Sequence, residues 1–515
     1  MKRILSLVLA LALALTMCSF AAAEDAKEDL TLTVMLPDFN SDKAWVSLED
    51  GNPILQAIYE ATGCKLDITW IANSAYTEQT SLTLSDAANM PNIMVIQGPR
   101  DAITINSARA GAFWDLTDLI PNYEYLAAGN KTVYDNCAVD GRYYGIYRAR
   151  AYARAGIYYR NDYAAQAGIT EKPTNVEEFK ALCMALAGIS DDSYAINMCK
   201  YVTGTIGITT VMFGAPYSYG VDESGLIYPA FEDEHFQEGL DFLRELYAAG
   251  GIDPNFMTIE SGNWDDAERK DNPTAFMRLD CLDNGYRYQE WLSTNYPDTY
   301  NNDEPVVSLL TAIPNSEGTI QIWPQNVGAS GEIVVTKTVD EATLPRVMEL
   351  LNYLCSAEGQ TLINCGVEGV NYWIHSNGYR YAYPEEAKDD TAKQEEYSAY
   401  NSTVVHSLGQ LGMNVNGDLT PPVEQNKLRQ EYNQNLVDNA QYVIANPCLT
   451  LESDTYTLMG ATLATDLEDA QVQYIAGKID LDGLKAAYDK WYEQGGEAIL
   501  SEYQAAYDAL QTTAE

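Results

Sequence analysis

The alternation of strand-like and helix-like runs between Leu30 and Ile96 constrains the fold of this chain more than any other feature. Leu30-Thr-Leu-Thr-Val-Met-Leu36 is β-rich, and Asn52-Pro53 opens a helix through Ile54, Leu55, Ile58 and Tyr59 that stops at Thr62-Gly63. Lys65-Leu-Asp-Ile-Thr-Trp70 is a second strand. A helical run near Leu82 to Ala88 and a third strand, Pro91-Asn-Ile-Met-Val-Ile96, repeat the unit. Strand–helix–strand alternation predicts an α/β fold whose mostly parallel sheet is covered by helices. With 515 residues the chain exceeds the roughly 100–200 residues usual for one domain, so at least two lobes are expected.

Further along, Asp140-Gly-Arg-Tyr-Tyr-Gly-Ile146 joins a tight turn to a strand-like run, and Tyr158-Tyr-Arg-Asn-Asp162 is strand-like again. Pro173-Thr174 with Glu177 reads as a capping box that starts a helix. Helices are expected from Val176 to Ala187 and from His235 to Ala249, the second stopped by Gly250-Gly251 and Pro254. Ala275-Phe-Met-Arg-Leu279 and Val327 to Val335 read as strands that cross between lobes. The acidic stretch Glu385 to Glu396 reads as a solvated loop or exposed helix.

These segments resemble the extracellular solute-binding proteins of ABC importers, family 1, and especially their long lipoprotein-like members that take oligosaccharides. There D-G-x-x-Y-G-I-P precedes R-x-D-W-L and P-T-x-x-E-F; here Tyr147 stands for the proline and Tyr163 for the tryptophan. Gly366-Val-Glu-Gly-Val-Asn-Tyr372 is similar to the family's G-x-E-G-x-x-Y. The tail, with Ile475-Ala-Gly-Lys-Ile479, Trp491-Tyr-Glu-Gln-Gly-Gly496 and Glu502-Tyr503, is a third patch. The resemblance spans nearly the whole mature length. It implies a two-lobed periplasmic-binding-protein-like fold of type II with a hinge of crossing strands. It also implies lobes at 24–145 plus 281–329 and at 146–280 plus 330–515, a ligand held between them, and a monomer that docks onto membrane permease subunits.

The N-terminus carries Lys2-Arg3, an apolar run from Ile4 to Met17 and small residues ending at Ala21-Ala-Ala23, which reads as a secretory signal over residues 1–23. Leu15-Thr-Met-Cys18 offers the competing reading of a lipid anchor on Cys18, against which Met17 stands where a small residue is wanted. Without the signal, 29 basic residues face 74 acidic ones, a balance of −45. Such a surface repels nucleic acid and anionic lipid, and it disfavours a polyanionic ligand unless a local basic patch counters the global field. The eight mature cysteines, at 64, 137, 183, 199, 281, 355, 365 and 448, form no C-x-x-C pair. Buried free thiols are expected, with a Cys355–Cys365 bridge as the alternative.

Enzymatic signatures are missing. His235, His375 and His406 lie far apart without metal-ligand spacing, and no G-x-S-x-G elbow, P-loop or G-x-G-x-x-G follows a strand. Asp480-Leu-Asp-Gly483 begins like a calcium loop but lacks its later ligands. No metal or cofactor is expected. A glycoside hydrolase remains the enzyme alternative, because two carboxylates leave no local motif, and peptides or other small solutes remain alternative ligands.

What the chain does supply is rings: 37 Tyr and 8 Trp. Sugars present an apolar C–H face and a rim of hydroxyls, which suits aromatic platforms with planar polar groups beside them. Ligands of open parallel sheets bind beyond the carboxyl ends of strands. That rule selects Trp70 after the second strand, Arg100 and Asp101 after the third, and Tyr147 and Arg148 after Tyr144-Gly-Ile146. It also selects Asp280 past the Ala275 strand, and Trp323 and Asn326 before the Val327 strand. The family resemblance adds Tyr159, and Tyr372 and Trp373 close the G-x-E-G patch. Trp264 completes the candidates, with Trp323 the favoured platform. Most of these rings have a competing reading as packing, Asp162 as a helix cap, and Glu368 as a brace for its own loop.

Overall fold

The computed structural model describes residues 29–39, 43–86, 89–98, 100–324, 326–413 and 419–514. The signal segment and Cys18 lie outside them. Two compact units emerge: one holds the described residues up to Met94 with Val335–His375 and Tyr381–Gly412, the other Val95–Val334, Ser376–Arg380 and the described residues from Met413.

In the first unit, β1 (Leu30–Asp38) runs parallel to β2 (Cys64–Ala72), from Leu30 opposite Cys64 to Asp38 opposite Ala72. On its other side β1 pairs in parallel with β3 (Ile93–Ile96), through Val34 with Ile93 and Met35 with Met94. Val34, Met35 and Leu36 are buried in succession, as both-face coverage of a parallel sheet requires. The crossover helix Pro53–Thr62 starts with proline in its first turn. The Asn52 side chain accepts from Ile54 N at 2.9 Å and Leu55 N at 3.3 Å, and the helix ends at Gly63 with φ 70°. Both ends follow from residue chemistry: proline lacks the amide that would be orphaned there, and glycine tolerates the left-handed turn. Ile54, Leu55 and Ile58 go fully inward, about 1.5–3 kcal/mol each by burial. The second crossover helix, Asn73–Ser85, begins directly after β2, nine residues ahead of the expected Leu82 run.

The second unit contains a four-stranded sheet in the order β10 (Val307–Leu310), β5 (Ala155–Arg160), β9 (Ala275–Cys281), β6 (Tyr194–Ile196). β10 and β9 are antiparallel to β5, and only β6 is parallel to its neighbour. β4 (Gly145–Ala149) pairs antiparallel with β11 (Ala329–Val335), and β7 (Tyr219–Val221) with β8 (Ile227–Pro229) forms a hairpin. The sheets are therefore mixed. Helix Val176–Ala187 buries Val176, Phe179, Leu182 and Leu186, and helix Glu234–Ala248 buries Leu240, Leu243 and Leu246, in one core with the four-stranded sheet.

Two local readings shift. The cap of the Val176 helix is Asn175, which accepts from Glu178 N at 3.0 Å, while Glu178 accepts from Thr174 N at 2.8 Å; the box sits one residue beyond Thr174 and Glu177. Asp162 does not cap either: it lies inside the first turn of Asn161–Gln166 and takes Arg160 Nε at 2.8 Å and Nη2 at 2.6 Å. β9 continues through Cys281, which stands opposite Ala155 of β5. The acidic stretch Glu385 to Glu396 is a short 3-10 turn at Glu385–Ala387 followed by the start of helix Thr391–Val404. The eight described cysteines are buried thiols. Among the described residues no helix is long and apolar enough to cross a membrane.

Candidate functional site

In the first unit the carboxyl ends of the parallel strands carry a cluster of rings. Asp38 is the last residue of β1 and Trp70 lies near the end of β2. The Trp70 ring meets Trp45 edge-on at 5.0 Å and His406 at 4.5 Å, and Trp45 stands 5.4 Å from His406. His406 Nε2 is 2.9 Å from Asp38 Oδ1, a separation that makes an ion pair whenever the imidazole is protonated, although the N–H is not aligned for a hydrogen bond. His406 Nδ1 lies 3.2 Å from Ser402 O. The residue has φ 43°, in the left-handed region. A bulky residue seldom sits there unless its surroundings hold it. The Trp70 indole N–H is buried without an acceptor among the described residues.

Of the first unit's residues, position 70 was selected by the strand-end rule and the same rule would have reached Asp38. Trp45 and His406 were not selected. They arrive through loops, and a lone histidine far along the chain gives no signal of its ring neighbours.

Tyr372 and Trp373 sit elsewhere in this unit. Gly366 and Gly369 have φ 83° and 76°, as the sharp loop needs. The brace is Asn371 rather than Glu368: fully buried Asn371 accepts from Val367 N at 2.9 Å and exchanges amide hydrogen bonds with Asn401 at 3.0 and 2.8 Å. Tyr372 is buried, and Trp373 packs edge-on to Tyr397 at 5.0 Å.

The other nine candidates belong to the second unit, and most are committed to packing or local bonds. Arg100 donates to Ala138 O and to Glu452 Oε1 at 2.7 Å. Asp101 caps helix Ala102–Arg109, taking Thr104 N at 3.0 Å and Thr104 Oγ1 at 2.7 Å; burial raises its carboxyl against these bonds. Tyr147 is buried, with its hydroxyl accepting from Asn130 N at 2.7 Å and its ring edge-on to Tyr134 at 4.7 Å. Tyr159 lies in the core under β5. Trp264 donates to Asn197 O at 3.2 Å and carries the Arg278 guanidinium over its ring at 4.3 Å. Trp323, 7 % exposed, fills the core against Gly207 and Tyr217. Asn326 donates to Ala151 O at 3.2 Å and accepts from Gly328 N at 2.8 Å, so it staples a turn.

Arg148 and Asp280 differ. Arg148 is half-buried at the end of β4. Asp280 is 8 % exposed, accepts from Asn284 Nδ2 at 2.8 Å, and is raised by burial although Arg278 and Arg154 oppose that shift.

The chain is 26% identical to lipoprotein LipO of Bacillus subtilis over 493 residues, covering 93% of this chain and 92% of LipO. It is 24% identical over 471 residues to the polygalacturonan/rhamnogalacturonan-binding protein YtcQ of the same organism, covering 88% of this chain and 87% of YtcQ. The N-glycan transport solute-binding protein NgtS of Streptococcus pneumoniae superposes with a TM-score of 0.67 at 17% identity, covering 95% of this chain and all of NgtS. No family model matches. By sequence the chain is thus related to LipO and YtcQ, and its fold is the two-lobed type II periplasmic-binding-protein-like fold that NgtS also has.

Proposed function

We propose that the protein is exported, captures an oligosaccharide and delivers it to the permease of an ABC importer without chemical change to the ligand. One observation carries this reading: Trp45, Trp70 and His406 gather within 5.4 Å of one another at the carboxyl ends of parallel strands, with the Asp38 carboxylate beside them. Ligands of open α/β sheets bind at such ends, and flat rings with an adjacent carboxylate suit the two faces of a sugar. YtcQ is named for binding polygalacturonan and rhamnogalacturonan and NgtS for N-glycan transport, which supports a carbohydrate here. LipO is named a lipoprotein, which supports export and leaves Cys18 as the alternative anchor.

Titration calorimetry of the mature chain against neutral and acidic oligosaccharides tests the reading. A saturable isotherm with unchanged saccharide recovered by chromatography is expected. Cleaved products would move the assignment to a glycoside hydrolase, and heat from peptides alone would replace the carbohydrate.

A further inference from the structure

Five of the chain's fifteen arginines collect on one face of the second unit, against the strongly acidic balance of the whole. Arg150 and Arg154 follow β4. Arg287 and Tyr286 lie on helix Asp283–Asn295, and Arg429 and Tyr432 on helix Lys427–Asp438. The two helices are tied by Asn426 Nδ2 donating to Glu290 Oε1 at 2.9 Å and by the Tyr286 and Tyr432 rings at 5.3 Å. The Arg429 guanidinium stands 5.2 Å over the Tyr286 ring and that of Arg287 5.8 Å over the same ring. Arg380, whose amide donates to Pro422 O at 2.8 Å, feels the charge of Arg429.

Two buried carboxylates, Asp280 and Asp283, answer the arginines that follow β4. Asp283 is 4 % exposed and takes Arg154 through two bonds of 2.9 Å, with Arg287 at 3.3 Å. Asp280 couples to Arg150 and Arg154. Glu290 is turned to Asn426, and Glu431 to Lys172 at 2.9 Å. Among the described residues no carboxylate reaches ion-pairing distance of Arg150 or Arg429. Arg150 is an exposed residue, yet partial desolvation, with Arg154 beside it, holds its guanidinium below the ordinary value. Five guanidinium groups on an otherwise anionic protein repel one another as well as recruit anions. A structure that keeps them together is suited to a ligand that brings its own negative charge.

We infer that this arginine–tyrosine face binds the carboxylates of an acidic oligosaccharide, a chain of uronate sugars. Guanidinium forks match carboxylates in bidentate geometry, and the buried Tyr286 ring serves as the floor over which Arg287 and Arg429 are held. The local positive field also removes the objection that a polyanion would be repelled by the protein as a whole. The inference rests on the proposed oligosaccharide function and specifies its substrate class.

The test uses the full mature chain, a galacturonic acid trimer and the same trimer methyl-esterified, which keeps the shape and removes the charge. Calorimetry at low salt should show the acid binding at least about tenfold tighter than the ester, with affinity for the acid falling as salt rises. Arg429→Gln and Arg150→Gln, each checked for an unchanged thermal midpoint, should collapse the acid-to-ester ratio, and Arg429→Lys should restore part of it. Equal binding of acid and ester, or a ratio untouched by either glutamine variant, overturns the inference. If neutral oligosaccharides bind and the acid does not, the oligosaccharide function stands while this face loses its role; if no saccharide binds, both fall.

Discussion

The Trp70 indole stands 4.5 Å from the His406 imidazole at 72° to its plane, and the same imidazole lies 2.9 Å from Asp38 Oδ1. A ring held edge-on by a neighbour presents its own face elsewhere, so the cluster fixes the orientation in which Trp70 can stack. Trp70→Ala should weaken oligosaccharide binding by about 1–3 kcal/mol, and Trp70→Phe by less, since it keeps a face and loses the N–H. Calorimetry of the two variants checks this; equal affinity in both would remove Trp70 from the site.

Trp323 is predicted to act on stability. It lies in the second unit's core, and a Cβ on Gly207 would come within 2.7 Å of its indole. Trp323→Ala should cost about 3–5 kcal/mol in urea unfolding, and Gly207→Ala should also destabilise by overpacking the same contact. Wild-type stability in both would contradict the packing described.

Arg278 and Glu268 form a buried pair, 3 % and 2 % exposed, joined by Arg278 Nε at 3.0 Å and Nη2 at 2.9 Å. Tyr158 hydroxyl donates to the same carboxylate at 2.9 Å and Asn197 Nδ2 at 2.8 Å. Removing one partner strands a charge, so Arg278→Leu should destabilise by about 3–5 kcal/mol. A double variant, Arg278→Leu with Glu268→Gln, should recover part of that loss. Denaturant midpoints of the two variants decide it.

Glu332 gives a pH dependence. Burial pushes its carboxyl up to about 8 from an ordinary 4.5, with Arg100 opposing and Asp101 adding to the shift. The folded state therefore prefers the protonated form. Its contribution is full below the unfolded value of about 4.5 and is lost as pH rises through about 8. Glu332→Gln should leave stability nearly level at pH 5 and raise it relative to wild type by a few kcal/mol, on the order of 2–4, at pH 9. Thermal unfolding across pH 5–9 checks the sign; parallel curves would refute it.

How much of this was legible depends on the range of the interaction. The Pro53–Thr62 helix was readable to the residue, because Asn52, Pro53 and Gly63 are local signals. β1, β2 and β3 were readable from apolar runs. The antiparallel partners of β5 were not, since register is set by residues more than a hundred positions away, Arg278 opposite Tyr158 and Leu309 on the other side. At the candidate site, Trp70 followed from a topological rule, while Tyr147 and Trp323 obeyed the same kind of reasoning and are buried, as is Tyr159, which the family resemblance offered. A strand-end rule places the backbone and cannot choose between the core side and the solvent side of one residue. The arginine face was illegible because its members come from four distant segments, Arg150 with Arg154, Arg287, Arg380 and Arg429, and within each segment the arginines look ordinary.

The chain leaves the first unit inside β3, after Met94, and resumes it at Val335, within β11. Neither unit is a continuous stretch, so no single cut in the sequence releases one intact. During synthesis the first unit lacks its Leu344–Cys355 and Ala357–Cys365 helices until residues well past 335 have been made. Closing contacts across so many residues is slow. For a chain exported as proposed above, a first unit that cannot be finished early would keep the polypeptide threadable during passage across the membrane.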